Sequence, residues 1–280
     1  MKRIGYCLLT LAALAVMVGA ANATPTINGA AINERVFNDC PFSTPSITNN
    51  YPSSIVISDA IAANSCGGWA NLHAWSFSAD GGANAAVFDN NSCFSFGCDL
   101  VITGNCQVEA GIRISPWWSK YADGRINVRI PDGEIAAFGG RMPFISWTNP
   151  GLPPNLNPWG AALNYVAGDP IHLEMHYDAN SLSSSDPGAV MYVVVYGGNT
   201  YATPWLLLDQ GNPAEDPPYG LWGMLNDGRV GGLFQIDNGA SPISQAKNGT
   251  ATFTNIQYTS CTKPTPTKAS TWGRVKALYR

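Results

Sequence analysis

The sequence is poor in charged residues. Only 12% of its 280 residues are Asp, Glu, Lys or Arg, and these few are unevenly distributed. Residues 24–261 contain 19 acidic and 8 basic side chains, a formal charge of −11, whereas residues 262–280 contain 5 basic side chains and no acidic one. A negatively charged body repels nucleic acids and other anionic polymers. We therefore expect no nucleic-acid partner.

Long hydrophobic runs are missing beyond the N-terminus. The chain opens with a basic start, an apolar stretch of about a dozen residues and the small-residue sequence Ala21-Asn22-Ala23, which are the parts of a secretory signal peptide. A bilayer span needs about 20 apolar residues, so this stretch is too short to be an anchor. We interpret residues 1–23 as a signal peptide. The mature protein is then expected to be secreted or on the cell surface, without a membrane span.

Helical periodicity and the common catalytic motifs are also absent. The chain has no G-x-S-x-G elbow, H-E-x-x-H helix, P-loop or G-x-G-x-x-G fingerprint. Short alternating or β-branched runs bounded by Gly, Pro, Asn and Asp recur instead, and turns such as Asp132-Gly133 favour tight hairpins. This pattern predicts an all-β fold of two stacked antiparallel sheets or a barrel. The predicted strands cover residues 54–58, 70–78, 85–88, 100–103, 107–115, 126–130, 134–138, 143–147, 171–177, 190–196, 201–208, 231–236 and 250–258.

Cysteine usage fits an exported protein. Removal of the signal peptide leaves an even number of cysteines, and disulfides persist outside the cell. Up to three bridges are expected, and Cys40 near the first strand is predicted to pair with Cys261 after the last. A zinc site is the alternative, but no C-x2-C pair occurs. The six cysteines are Cys40, Cys66, Cys93, Cys98, Cys106 and Cys261.

The layout of residues 53–258 resembles the concanavalin A-like lectin/glucanase group in its broad LamG-like sense. The strand 107–115 looks like a central strand of a concave sheet, the pair 171–177 and 189–198 is similar to the hairpin order of those domains, and 251–258 is similar to their closing strand. The resemblance implies a two-sheet antiparallel jelly-roll sandwich whose concave sheet often meets carbohydrate, sometimes with calcium at a rim loop. The E-x-D-x-x-E motif of the family-16 glucanases is absent, so their hydrolase mechanism is not carried over.

Two of the three histidines lie in the stretch 168–178. Because residues two apart in a strand share a face, His172, Glu174 and His176 point one way and the apolar residues between them point to the core. Neighbours in this trio are about 6.5 to 7 Å apart along the strand, so both histidines cannot share one zinc ion unaided. The trio is interpreted as a solvated polar face, as part of a ligand groove, or as a His-Glu acid/base pair.

The strand from Gln107 repeats this pattern, with Glu109 and Arg113 on its polar face. Residues 125–130 likewise alternate Arg125, Asn127 and Arg129 with apolar side chains. If these faces belong to the sheet that carries the His172 trio, they form one surface suited to sugar hydroxyls. The alternative is a set of exposed Glu-Arg pairs, each worth about 0 to 1 kcal/mol.

Three further features remain open. Trp117 beside Pro116 could stack on a sugar ring or cover an edge of the sandwich. The segments 80–84 and 89–91 offer oxygen ligands of the kind calcium uses, although Asp80-Gly81 is also a good hairpin turn. Residues 262–280 form a Thr/Pro/Lys linker and a basic aromatic tail, which resembles a sorting or anchoring signal of some exported bacterial proteins; the alternative is a frayed or docked terminus.

We expect residues 24–261 to form one β-sandwich domain that binds carbohydrate, such as a cell-surface glycan, or serves as a cell-surface interaction module, without catalysis. The alternative is a polysaccharide lyase or glycoside hydrolase acting in the concave groove. Its base would be His172 or His176, Arg113 would anchor substrate charge, and the acid or orienting groups would be Glu109 and Glu174. A second alternative is a structural envelope protein. No cofactor is expected apart from the calcium considered above.

Overall fold

A computed structural model of the chain describes residues 24–38, 40–64, 70–114, 124–140, 142–209, 222–224, 228–237 and 245–261. These ranges consist of strands and connecting turns without a helix, so none of them holds an apolar helix of membrane-spanning length. The strands, numbered in chain order, are β1 (Gly29–Asn38), β2 (Ser46–Asn50), β3 (Ser54–Ile61), β4 (Ala70–Ser78), β5 (Cys93–Gly104), β6 (Val108–Ile114), β7 (Gly124–Ile130), β8 (Ile135–Gly139), β9 (Met142–Ser146), β10 (Ile171–Asp178), β11 (Ala189–Tyr196), β12 (Asn199–Ala202), β13 (Leu206–Leu207), β14 (Val230–Asp237) and β15 (Lys247–Ser260).

Within the described residues these strands form two sheets. Sheet A has the order β1-β4-β14-β6-β7-β8-β9, and sheet B has the order β12-β11-β10-β5-β15-β3-β2, with β13 paired to β11. The neighbouring strands are antiparallel. Residues close in sequence are often split between the sheets, since β4 and β6 lie in sheet A and the intervening β5 lies in sheet B. The fold is a two-sheet antiparallel jelly-roll sandwich of the concanavalin A-like kind, which confirms the predicted fold class.

The core lies between the two sheets and is built by strict alternation. Strand β10 shows the pattern most clearly, because Leu173 and Met175 are fully buried while the residues between them are partly exposed. Trp75 at the centre contacts Phe77, Phe96 and Phe253 edge-on, with ring centroids 5.4 to 5.7 Å apart. Aromatic pairs of this geometry add about 0.5 to 1.5 kcal/mol each beyond the area they bury.

Several strand boundaries differ from the sequence prediction. Strand β1 was not predicted, because a bulge between Asn33 and Phe37 interrupts its alternation. Strand β2 is a short, mostly exposed edge strand with little apolar signal. Strand β5 begins at Cys93 rather than near Leu100. The predicted strand 85–88 is wrong, since only Phe88 forms an isolated bridge there.

The cysteine pairing also differs from the prediction. Cys261 forms a disulfide with Cys93, so the predicted Cys40–Cys261 bridge is wrong. The register explains this pairing: the end of β15 lies beside the start of β5, which brings the two residues together. Cys40 is disulfide-bonded, and Cys66 lies outside the described residues. Cys98 and Cys106 are thiols, so the chain does not reach three bridges.

A buried polar cluster joins the two sheets at one end of the core. Asp59 of β3 accepts hydrogen bonds from Nε2 of His73 at 2.9 Å, from Nδ2 of Asn71 at 3.0 Å and from Oγ of Ser43 at 2.9 Å. Asp59, Asn71 and His73 are each at most 1% exposed. Burial opposes ionisation of Asp59, but the hydrogen bonds outweigh it and lower the pKa of this carboxyl. The cluster therefore stabilises contact between β3 and β4.

Candidate functional site

A strip of polar side chains runs across the outer side of sheet A, and we call it the arginine face. The register places Glu109 opposite Arg129 and Arg113 opposite Arg125, and it places Gln235 opposite Glu109 on the other side. All these side chains point away from the core, because their neighbours in each strand are the core residues. The members of the face are Ser76 of β4, Glu109 and Arg113 of β6, Arg125, Asn127 and Arg129 of β7, and Gln235 of β14.

Glu109 organises one end of this face. Its Oε2 accepts hydrogen bonds from Nε2 of Gln235 at 2.9 Å and from Nδ2 of Asn127 at 3.3 Å. Its Oε1 lies 3.5 Å from Nη1 of Arg129, whose Nη2 lies closer to Glu134, at 2.9 Å. Burial raises the pKa of Glu109, and the charges of Arg125 and Arg129 oppose the rise. Glu109 is thus a nearly buried carboxyl whose proton affinity is increased.

Arg113 and Arg125 occupy the other end of the face. They are opposite each other in the register and are only 5% and 3% exposed. Nη2 of Arg113 donates a hydrogen bond to Oγ of Ser76 at 3.3 Å, and the guanidinium of Arg125 lies 4.1 Å from the ring centroid of Phe138. Burial, followed by the charges of Arg125 and Arg229, lowers the pKa of Arg113 to about 10. Two like charges are therefore held together in a poorly solvated place.

The arginine face contains buried polar atoms that have no hydrogen-bond partner in the described part of the chain. Among them are Nη1 of Arg113, Oδ1 of Asn127 and Oε1 of Gln235. A buried polar atom left in this state costs about 1 to 3 kcal/mol. Both amides donate to the Glu109 carboxylate, which can only accept, and this turns their oxygens away from it. The face thus offers one charged donor and two acceptors to a ligand.

Gly111 lies between Glu109 and Arg113 on the same strand. A Cβ placed there would lie 1.9 Å from the carbonyl oxygen of Ile126 in β7. No side chain can occupy that position without moving backbone, so glycine permits the close approach of β6 to β7 beneath the arginine face.

A second polar cluster, which we call the histidine face, lies on the outer side of sheet B. Nδ1 of His172 is 2.7 Å from Oδ1 of Asp99, and its Nε2 is 3.1 Å from Oε1 of Glu174. Nε2 of His176 is 2.8 Å from Oε2 of Glu174, and its Nδ1 is 2.8 Å from Oγ of Ser95. The register brings these groups together, because β10 pairs with β5. The five side chains form one continuous hydrogen-bonded chain.

Proton counting assigns roles along the histidine face. Carboxylates only accept, so both ring nitrogens of His172 face acceptors, one in Asp99 and one in Glu174. His176 donates to Glu174 through Nε2, and its Nδ1 contacts the hydroxyl of Ser95, which can donate or accept. Burial opposes ionisation of Glu174, but its hydrogen bonds with His176 and His172 outweigh burial and lower the pKa of the carboxyl. Among the described residues, no three His, Cys, Asp or Glu side chains are arranged to hold a metal ion.

The two faces lie on opposite sides of the molecule. Strands β6 and β10 both bury their other side in the same core, and stacked sheets are separated by about 10 Å. Glu109 and Arg113 therefore cannot share a groove with His172, Glu174 and His176, and the expectation of one common surface is wrong. Trp117 lies outside the described residues.

Sequence reasoning missed four members of these clusters, Ser76 and Gln235 of the arginine face and Ser95 and Asp99 of the histidine face. Gln235 alternates with Phe234 and Ile236, which are fully buried, so the period of two in β14 could have placed it on a polar face. Asp99 and Ser95 gave no such signal, because their strand was not recognised before Leu100. Their proximity to β10 depends on sheet pairing between residues more than 70 positions apart.

In the segments considered for calcium, the Asp side chains accept hydrogen bonds from residues of the same turn. Oδ1 of Asp80 accepts from Oγ of Ser78 at 2.6 Å and from the Asn84 amide at 2.9 Å, and Oδ2 accepts from Nδ2 of Asn84 at 2.8 Å. These hydrogen bonds lower the pKa of Asp80 to about 2. Asp89 accepts a longer bond from Oγ of Ser92, at 3.4 Å. Calcium binding at these segments stays a prediction.

Comparisons with known proteins give distant structural neighbours only. No protein-family model matches the chain, and no curated protein matches it in sequence. Among solved structures, it is similar to the alginate lyase from Klebsiella pneumoniae with 8% identity and a TM-score of 0.42, covering 78% of this chain and 85% of the lyase. It is also similar to the carbohydrate-binding module CBM66 from Bacillus subtilis, with 10% identity, a TM-score of 0.36 and coverage of 84% and 98%. A family 7 alginate lyase in complex with product gives 8% identity, a TM-score of 0.40 and coverage of 77% and 83%. At these levels no residue correspondence is carried over.

Proposed function

We propose that this chain is a secreted carbohydrate-binding domain whose ligand lies on the arginine face. The observation that carries the proposal is the pair of buried acceptors, Oδ1 of Asn127 and Oε1 of Gln235, which have no hydrogen-bond partner in the part of the chain that the structure describes. Sugar hydroxyls donate hydrogen bonds, so they complement such acceptors. A fixed amide recognises them well because its orientation is already set, here by Glu109. A ligand that reached these atoms would remove the cost of leaving them buried and unsatisfied.

The ligand can approach this face from the Glu109 end. The side chains of Glu109 and Arg129 are 13% and 26% exposed, whereas Asn127 and Gln235 behind them are 5% and 3% exposed. This gradient from open to buried is typical of binding clefts, in which a few fixed polar groups lie at the bottom.

A glycan array probed with the purified chain tests the proposal. We expect binding to a defined subset of glycans, and we expect Gln235→Leu to weaken it by about 2-fold to 12-fold, the equivalent of one hydrogen bond. The matched control is Gln257→Leu, at an exposed position of β15 in sheet B, and this variant should bind like wild type. No binding on a broad array would refute the proposal and favour a structural envelope role.

Cleavage of a polysaccharide is a second candidate, favoured by one observation. Burial raises the pKa of Glu109, which is the direction in which enzymes tune a carboxyl that acts as a general acid on a glycosidic oxygen. A mechanism that joins Glu109 to His172 or His176 is excluded by their positions on opposite faces. Incubation with polysaccharide panels should show product that Glu109→Gln abolishes and Glu174→Gln does not. Turnover that survives Glu109→Gln would rule this candidate out.

A further inference from the structure

We infer that the arginine face selects an acidic sugar and that Arg113 binds its carboxylate. The inference rests on the proposed function, because it specifies the class of carbohydrate for the same face. Arg113 is 5% exposed, and its Nη1 has no hydrogen-bond partner. A buried cation is normally paired with an acid, yet no carboxylate of the described residues pairs with Arg113.

The neighbours of Arg113 increase the need for an anion. Arg125 lies opposite it in the register, and the charges of Arg125 and Arg229 both disfavour its protonated form. An anion that binds at this end would supply the missing acceptor to Nη1 of Arg113 and would favour the protonated form of this side chain. A guanidinium is planar and binds a planar carboxylate through two parallel hydrogen bonds. A carboxylate can therefore satisfy Nη1 and a second N–H of the same guanidinium at once.

The two ends of the face have opposite character. Glu109, Asp132 and Glu134 gather around Arg129 at one end, where a second carboxylate from a ligand would be repelled. Glu109 and Arg113 are four residues apart on β6, about 13 Å, which is longer than one sugar ring. The ligand is therefore an oligosaccharide, with hydroxyls near Asn127 and Gln235 and its carboxylate at Arg113.

The net charge of the chain does not oppose this assignment at contact distance. Residues 24–261 have a formal charge of −11, and this field slows the approach of an anionic polymer. Salt screens such a field over about 8 Å at physiological ionic strength. Arg113 acts within hydrogen-bonding distance and inside a buried strip, where screening is weak.

Calorimetry of the full chain with three matched oligosaccharides tests the inference. The first carries uronic acid residues, the second is the same molecule with its carboxyl groups reduced to hydroxymethyl groups, and the third is this reduced molecule with sulfate esters added. We expect the uronate to bind about 10-fold to 100-fold more tightly than its reduced form. Equal binding of these two would overturn the inference and leave the proposed function standing. Tighter binding of the sulfated ligand would overturn the assignment to a carboxylate, and binding of none would refute the proposed function itself.

Variants of Arg113 test the inference with ligand and without it. With ligand, Arg113→Gln should abolish the preference for uronate, whereas Lys247→Gln, which removes one positive charge from β15 of sheet B, should preserve it.

Without ligand, Arg113→Met should leave the urea midpoint of the chain unchanged or raise it, because it replaces a buried cation that has no acid partner among the described residues by an apolar side chain of similar length. A fall in that midpoint larger than loss of the single hydrogen bond to Ser76 explains would show that the charge of Arg113 is paired in the folded chain, and it would overturn the inference.

Discussion

Replacement of Asp59 by alanine is expected to remove a large share of the stability of the fold. The substitution deletes the common acceptor of His73, Asn71 and Ser43 at the buried junction of the two sheets. Removing one partner of a buried charged cluster costs about 3 to 5 kcal/mol, because the donors that stay buried lose their charged acceptor. Domains of ordinary stability unfold with about 5 to 15 kcal/mol. Urea unfolding should therefore show a midpoint lowered by about 2 M at a typical slope.

The stabilisation by Asp59 should depend on pH in a defined direction. The folded pKa of Asp59 lies below its unfolded value of about 3.9. Its contribution is thus fully present above that unfolded pKa and is lost as the pH falls through the folded pKa. Asp59→Ala should lack this acid-linked loss, while Asp209→Ala, an exposed control, should retain it. A cost below about 1 kcal/mol for Asp59→Ala at pH 7 would refute the reasoning.

Three further outcomes are expected. Gly111→Ala should lower the free energy of unfolding by about 1 to 3 kcal/mol or more, since its Cβ would meet the carbonyl oxygen of Ile126 at 1.9 Å. Cys261→Ser should cost about 2 to 5 kcal/mol, because the bridge to Cys93 closes a loop across a sequence separation of 168. Glu174→Gln should remove part of the stability that wild type loses on acidification below the unfolded glutamate pKa of about 4.3, because the folded pKa of Glu174 is lowered.

Chemical denaturation of each variant beside wild type measures all three. Reductant should destabilise wild type more than Cys261→Ser, in which the disulfide of Cys40 is still present to be reduced; an equal effect on both would argue against the bridge. Wild-type stability of Gly111→Ala would contradict the close approach of β6 and β7. An acid-unfolding curve for Glu174→Gln that coincides with wild type would contradict the assigned pKa direction.

The inward and outward faces of β10 and β6 were readable from the sequence. Leu173 and Met175 are buried and His172 and Glu174 are partly exposed, as the alternation predicted. The period of two in a strand is a local property that needs no knowledge of neighbours. The expectation that Glu109 shares one surface with His172 and His176 was wrong, because β6 and β10 lie in different sheets. Alternation indicates which side of its strand a residue occupies, but it does not indicate which sheet the strand joins.

The partner of Cys261 likewise could not be read from local sequence. Their even number favoured disulfides, and a bridge at Cys261 was predicted from its position after the last strand. Its partner is Cys93 because the end of β15 pairs with the start of β5. That register is set across more than 150 residues, and the spacing of cysteines along the chain contains no record of it.

The sequence by itself determined the all-β class, the alternation of core and polar side chains and the scarcity of charge, because each depends on composition or on neighbours within a few residues. Only the tertiary structure decided that Glu109, Asn127 and Gln235 meet on one face and that Asp99 and Ser95 join His172 and His176 on the other. It also decided that Nη1 of Arg113 is buried without a hydrogen-bond partner among the described residues. Those juxtapositions come from hydrogen bonds between strands far apart in the chain, and the burial of a charge is defined only once the sheets have packed.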